Sequence, residues 1–192
     1  MEKSNIDKRP EIRVFAGPNG SGKSTLTTSE WILPPYINAD EIKKVAHCSD
    51  IEAAQQATSW REQSVRKRKN FTFETVLSTE RNLLLLEIAR TKGYFVRGWF
   101  VLTVDPAINI ERVAFRAQHG GHSVPEDKIV SRYHKSLALL PRFIDACNRC
   151  NIIDNTNGLS RLFKKKDDDF QVFPNDIWTE EEIINLITLG HK

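Results

Sequence analysis

One short stretch restricts this chain more than any other: Gly17-Pro18-Asn19-Gly20-Ser21-Gly22-Lys23-Ser24-Thr25. It matches G-x-x-x-x-G-K-S/T, the loop pattern that cradles nucleotide phosphates. The flanks supply the context such a loop requires. Ile12-Arg13-Val14-Phe15-Ala16 reads as a strand leading in, and Lys23 to about Ser29 as the first turns of a helix leading out. A phosphate needs backbone N–H groups aimed at it. Gly17, Gly20 and Gly22 permit the torsions and the close approach that side chains would block. The positive end of the helix adds a favourable field. The pattern places Lys23 to reach the β- and γ-phosphates and Ser24 to ligand Mg²⁺. The expected ligands are therefore ATP or GTP, with Mg²⁺.

The rest of the chain alternates strand and helix. Tyr36-Ile37-Asn38 is a brief second strand after a break from Trp31 to Pro35, where two prolines stop helix growth. Ser49 and Glu52 form a capping box for a helix whose apolar positions are Ala53, Ala54, Ala57, Trp60 and Val65. Phe71 to Val76 is a third strand, rich in aromatic and β-branched residues. Glu80 to Lys92 is a helix stopped by Gly93. Phe95 to Val104 is the strongest strand, nearly continuously apolar from Trp99 to Val104, as a strand covered on both faces should be.

Asp105-Pro106 opens a helix that turns Ile110, Val113, Ala114 and Ala117 inward and ends at Gly120-Gly121-His122, a turn that His122 is expected to order. Ser123 and Glu126 read as a second capping box, with Pro125 in the first helical turn. Pro141 starts a further helical segment, and Asn151 to Asn155 is the fifth strand. Leu159–Lys165 and Phe170–Phe173 form a small hairpin, followed by a helix from Thr179 to Leu189.

This order predicts an α/β protein: a P-loop, kinase-type three-layer sandwich. Its central parallel sheet has about five strands, with a small C-terminal hairpin and helix, and residues 1–192 form one domain. Right-handed crossovers bring the C-terminal ends of the strands to one edge, where ligands bind. The P-loop, Asp40, Glu74 and Asp105 should gather there.

Charge and cysteine content narrow the partners. A formal charge of +3 suits a protein that handles phosphates but is too small to argue for a nucleic-acid binder. The basic run Arg66-Lys67-Arg68-Lys69 reads as a solvated helix end. No apolar run approaches a membrane span, and Met1 to Pro10 lacks the apolar segment of a signal peptide, so a cytoplasmic location is expected. Cys48, Cys147 and Cys150 would then be reduced, and Cys147-x-x-Cys150 has no second ligand pair for zinc. His119, His122 and His134 fit no zinc spacing either.

Transfer of a γ-phosphate to a hydroxyl needs a base, a grip on the acceptor, and cations for the developing charge. Asp40, at the end of the second strand, reads either as that base or as a helix N-cap. Glu74 disagrees with its apolar neighbours. It reads as a ligand for substrate hydroxyls or amides, with Thr75 and Asn38 beside it, or as a solvated edge-strand residue. Arg112, Arg116 and Arg132 flank the Gly120-Gly121 turn, either to close over phosphates or as surface charges.

Taken together, Gly17 to Thr25, Asn38-Ala39-Asp40-Glu41, Phe73-Glu74-Thr75-Val76-Leu77-Ser78 and Arg116 with Gly120-Gly121-His122-Ser123-Val124-Pro125 resemble the zeta-toxin-like P-loop kinases over about residues 11 to 156. Arg132-Tyr133 fits as well. The resemblance implies an ATP-dependent small-molecule kinase, with UDP-N-acetylglucosamine as the acceptor of the characterised toxins, and an antitoxin as protein partner. It maps the P-loop lysine to Lys23, the base to Asp40, the substrate-side glutamate to Glu74 and the phosphate clamp to Arg116 and Arg132. Two other classes fit a P-loop. One is a nucleotide-dependent switch without metabolite chemistry. The other is a polynucleotide-end kinase, which would need Arg66 to Lys69 along its acceptor groove.

Overall fold

The computed structural model of the chain describes residues 9–29, 32–121 and 123–190. The readings of Trp31, of His122 and of the first eight residues lie outside them. The chain runs β1 (Glu11–Ala16), α1 (Lys23–Ser29), β2 (Tyr36–Ile37), α2 (Ala39–Ala46), α3 (Asp50–Arg66), β3 (Phe71–Thr75), α4 (Arg81–Thr91) and β4 (Phe95–Leu102). It continues through α5 (Pro106–Gln118), α6 (Glu126–Ala138), α7 (Leu140–Ala146), β5 (Arg149–Asp154), β6 (Ser160–Lys166), β7 (Asp169–Val172) and α8 (Glu180–Leu189).

All the strands join one sheet in the order β2-β3-β1-β4-β5-β6-β7. The first five are parallel, as helical crossovers require. The C-terminal hairpin is not a separate appendage. β6 pairs antiparallel with β5, from Arg149 opposite Lys166 to Asp154 opposite Ser160, and so extends the sheet. Its tight turn is made at Asp167, which adopts φ of 56°, a left-handed conformation that aspartate tolerates.

Alternation along the central strands divides the core. Ile12, Val14 and Ala16 of β1, with Val96, Phe100 and Leu102 of β4, face the large cluster under α3, α4, α6, α7 and α8. Phe15, Trp99, Val101 and Ile153 face the other way, under Leu26 of α1. Phe15 stacks on Trp99 with ring centroids 4.7 Å apart. The P-loop leaves β1 between these two layers, near the middle of the sheet.

Three local expectations are corrected. The Ser123–Glu126 capping box is absent, because Pro125 keeps an extended ψ of 140° and serves as the N-cap without a side-chain bond. In α5 the buried positions are Asn109 and Val113, while Ala114 is exposed. In α3, Ala54 is exposed and Trp60 is 44% exposed, and Arg61 takes the inward place. Its spacing of four from Ala57 sets it on the buried stripe. The other caps form as read: Ser49 and Glu52 make a full box, and Asp105 accepts from the Ala107 N–H ahead of Pro106.

β2 has only two residues, so its position depends on side-chain bonds. The buried Thr72 hydroxyl donates to the Leu33 carbonyl at 2.8 Å and accepts from the Leu33 N–H at 2.9 Å. This pins the segment that delivers α2 to the sheet edge. Thr72→Val keeps the shape but leaves both Leu33 groups unpaired. It should lower unfolding stability by about 2–3 kcal/mol, as read by urea denaturation.

Candidate active site

The parallel strands end at a cleft of about 870 Å³. Its floor is the loop from Asn19 to Thr25. One bank carries Asn38, Asp40, Ala53, Arg61, Glu74 and Thr75, and the other Arg112, Arg116, Lys128, Arg132 and Asn155. The sheet order explains the division, because β2 and β3 lie on one side of β1 and β4 and β5 on the other.

The loop is held from behind through its carbonyls. Asn109, fully buried on α5, donates to the Asn19 carbonyl at 2.6 Å, and its own amide oxygen accepts from the Thr103 hydroxyl. Asn155, just past β5, donates to the Ser21 carbonyl at 2.8 Å. Lys23 bonds back to the Gly17 and Pro18 carbonyls at 2.7 and 2.8 Å. The Gly20, Gly22, Lys23 and Ser24 N–H groups meet no protein acceptor among the described residues. They are the first-turn donors of α1 and its approach, free for an anion. Gly22 has φ of 95°, and a Cβ there would lie 2.2 Å from the Asn155 amide nitrogen, so no other residue fits.

Lys23 is half-buried. Burial lowers its pKa from 10.5 to about 8; Glu74 and Asp40 oppose that shift and Arg116 adds to it. All three charges therefore act on the Lys23 ammonium.

Asn38, not Asp40, is the N-cap of α2: its side chain accepts from the Asp40 N–H at 2.8 Å. Asp40 sits one residue inside the helix, exposed at the cleft, with its carboxylate unused by the cap. Glu74 is half-buried rather than solvated at an edge, since β3 lies between β2 and β1. Its Oε1 accepts from the Tyr36 hydroxyl at 2.7 Å and from Thr27 at 3.0 Å. Burial and the Glu74 bond push the Tyr36 hydroxyl pKa well up, so it stays a donor. Tyr36 in turn accepts from Asn38 at 3.0 Å. Glu74, Tyr36, Asn38 and the start of α2 thus form one connected network. Thr75 lines the cleft, but its hydroxyl is already engaged by the Leu77 N–H and the Asn82 amide.

On the other bank, Arg132 reaches Asn19 of the loop at 3.4 Å. Arg112 donates to the Thr156 carbonyl at 3.0 Å, and its buried Nη1 has no hydrogen-bond partner among the described residues. Arg116 packs on the glycine turn: the Gly121 N–H donates to the Arg116 carbonyl at 2.9 Å. A Cβ on Gly121 would lie 2.5 Å from Cγ of Arg116. Asp105 is a helix cap and does not line the cleft. Arg66 to Lys69 lie ahead of β3, at the opposite edge of the sheet, and do not line it either.

Sequence reasoning missed Asn109, Asn155, Tyr36 and Arg61. Asn155 was readable, because a polar residue closing an apolar strand stands where ligands bind. Arg61 interrupts an apolar helical stripe, which is also a visible signal. Asn109 and Tyr36 offered none. Cys147 and Cys150 are buried free thiols, and no three His, Cys, Asp or Glu side chains cluster to hold a metal among the described residues. No described helix is long and apolar enough to cross a membrane.

No family model matches the chain. It is 27% identical over 125 residues to an uncharacterized protein of Haemophilus influenzae, covering 62% of this chain and 89% of that one. Its fold is similar to a structure from the PezAT chromosomal toxin–antitoxin system of Streptococcus pneumoniae: TM-score 0.59, 16% identity, 82% of this chain and 72% of that one. It is also similar to the AvrRxo1-ORF1:AvrRxo1-ORF2 complex. With sulphate ions that match has TM-score 0.73 and 13% identity, over 96% of this chain and 65% of the other. With ATP it has TM-score 0.68 and 14% identity, over 85% and 60%. The chain therefore has the zeta-toxin-like P-loop kinase fold.

Proposed function

We propose that this protein is an ATP- and Mg²⁺-dependent phosphotransferase acting on a hydroxyl of a small molecule. The observation that carries this reading is the bank of carboxylates facing the P-loop lysine across a cleft large enough for an acceptor beside a nucleotide. A switch module needs no such second compartment. The acceptor hydroxyl gives its proton to the Asp40 carboxylate while its oxygen bonds the γ-phosphorus and the bond to the ADP oxygen breaks. Lys23, Arg116 and Arg132 neutralise the charge that develops. Glu74, Thr75 and Asn38 line the acceptor side.

The residues present fit Mg²⁺. The Ser24 side chain is exposed at the loop, and the anion-directed N–H groups surround it. Ser24 would hold the ion, which when bound offsets phosphate charge. A sugar nucleotide such as UDP-N-acetylglucosamine is the acceptor class we favour. An antitoxin is the protein partner we favour, supported by the likeness to a structure from a toxin–antitoxin system. GTP in place of ATP is equally compatible with the loop.

Incubation with labelled ATP and a cell extract, with mass spectrometry of the product, tests the reading and identifies the acceptor. Asp40→Ala should bind nucleotide within about threefold of the parent yet lose about 10²–10⁴-fold in turnover. Normal turnover by that variant would remove Asp40 from the mechanism.

The Lys23 shift sets a pH dependence. Phosphates favour the ammonium form, so nucleotide binding draws in a proton once the pH reaches about 8. Affinity should fall as pH rises further, and calorimetry in buffers of different ionisation heat should show net uptake, absent in Lys23→Ala. Without nucleotide, the unfolded chain holds this proton up to its ordinary 10.5, so folding stability should rise with pH between about 8 and 10.5.

Gly121→Ala should displace Arg116. We expect turnover to drop about tenfold or more with nucleotide affinity little changed, as a small misplacement near the reacting centre does. Equal losses in both would point to a disordered loop instead.

A further inference from the structure

Arg61 lines this cleft and is used by no step above. It lies on α3, on the Asp40 and Glu74 bank, and is only 7% exposed. Long charged side chains are rarely buried without a partner. Among the described residues, no carboxylate lies within ion-pair distance of it. Its contacts are a hydrogen bond from Nη2 to the Thr58 hydroxyl at 3.1 Å and a stack over the Phe73 ring, 5.2 Å from guanidinium carbon to centroid. Its Nε is buried and has no hydrogen-bond partner among the described residues.

The acidic groups nearby are otherwise engaged or aimed elsewhere. Asp50 pairs with Lys43 at 2.7 Å, Glu74 takes Tyr36 and Thr27, and Asp40 acts on Lys23. Burial pulls the Arg61 pKa down to about 10, and the neighbouring Arg81 guanidinium adds to that pull; the Glu62 carboxylate, which lies 4.0 Å from Arg66, opposes it but is the smallest of the three influences. The charge is thus under-compensated, in the half of the cleft away from the phosphate clamp. The stack on Phe73 and the Thr58 bond fix the plane of the fork, which is how an arginine is preset for a two-oxygen anion.

We propose that Arg61 is the acceptor anchor, binding an anionic group of the small molecule, a phosphoryl or carboxylate oxygen pair remote from the reacting hydroxyl. This rests on the kinase reading and narrows it: neutral sugars and alcohols are excluded as acceptors. Arg61 makes no contact with the transferred phosphoryl group. It selects the acceptor and holds its hydroxyl toward Asp40.

The test uses the full chain saturated with Mg²⁺ and a non-hydrolysable ATP analogue, so that the P-loop is filled. Inorganic phosphate is titrated in one arm and acetate in the other, by calorimetry. One anion per chain should bind the wild type. Preference for phosphate assigns the acceptor charge to a phosphoryl group, and preference for acetate to a carboxylate. Arg61→Gln and Arg61→Met should each weaken that binding at least tenfold. The analogue should still raise the melting temperature of both variants, which shows that they fold. If the analogue binds and neither anion follows, or if both variants bind anion like wild type, Arg61 is no anchor and the kinase reading stands. If the analogue itself does not bind, both fall.

Discussion

The structure depends on how the phosphate-binding loop disposes of its carbonyl groups. A loop that offers its N–H groups to an anion must still pair its C=O groups, because an unpaired buried carbonyl costs about as much as a lost hydrogen bond. Here side-chain donors on other elements perform that task. Asn109 takes the Asn19 carbonyl, Asn155 the Ser21 carbonyl and Lys23 the Gly17 and Pro18 carbonyls. The N–H groups are left to face the cleft. The loop is therefore presented in a fixed direction by α5 and the end of β5, rather than by its own glycines alone.

The same logic orders the opposite bank. Glu74 is costly to bury, and the Tyr36 and Thr27 hydroxyls offset that cost. Tyr36 passes the constraint to Asn38, and Asn38 caps α2. A carboxylate on β3 thereby sets where α2 begins, and so where Asp40 stands. Across the cleft the arginines are placed by different means. Gly121, lacking a Cβ, lets the turn close on the stem of Arg116, and Arg132 leans on Asn19. The carboxylates and Arg61 lie on one side and Arg112, Arg116 and Arg132 on the other, with the loop between them.

Much of this is legible in the amino-acid sequence. The loop, the alternation of strand and helix, the parallel sheet and the placing of Asp40 and Glu74 at one edge follow from local pattern and handedness; the same pattern put Asp105 there too, and it does not line the cleft. What escaped shared a physical cause. Trp60 outranks Arg61 in hydropathy, yet Arg61 is buried because Phe73 and Thr58 lie beneath it and Trp60 faces solvent. Asn109 breaks the apolar face of α5 because its amide serves a loop ninety residues earlier. Ser123 and Glu126 satisfy the capping formula, but the intervening Pro125 stays extended and becomes the N-cap, so the helix starts two residues later, at Glu126.

The sequence by itself determined the torsions and the periods: a glycine loop between strand and helix, and crossovers that turn every parallel strand's end to one edge. Those depend on sterics within a few residues. Only the tertiary structure decided which donors meet the loop's carbonyls, that the final hairpin widens the sheet, that Asn38 rather than Asp40 caps its helix, and that a buried arginine borders the cleft. Each of those outcomes joins groups far apart along the chain, as Asn155 and Ser21 are at 134 residues. Such pairings are settled by packing and by the cost of unpaired polar groups, which no local pattern encodes.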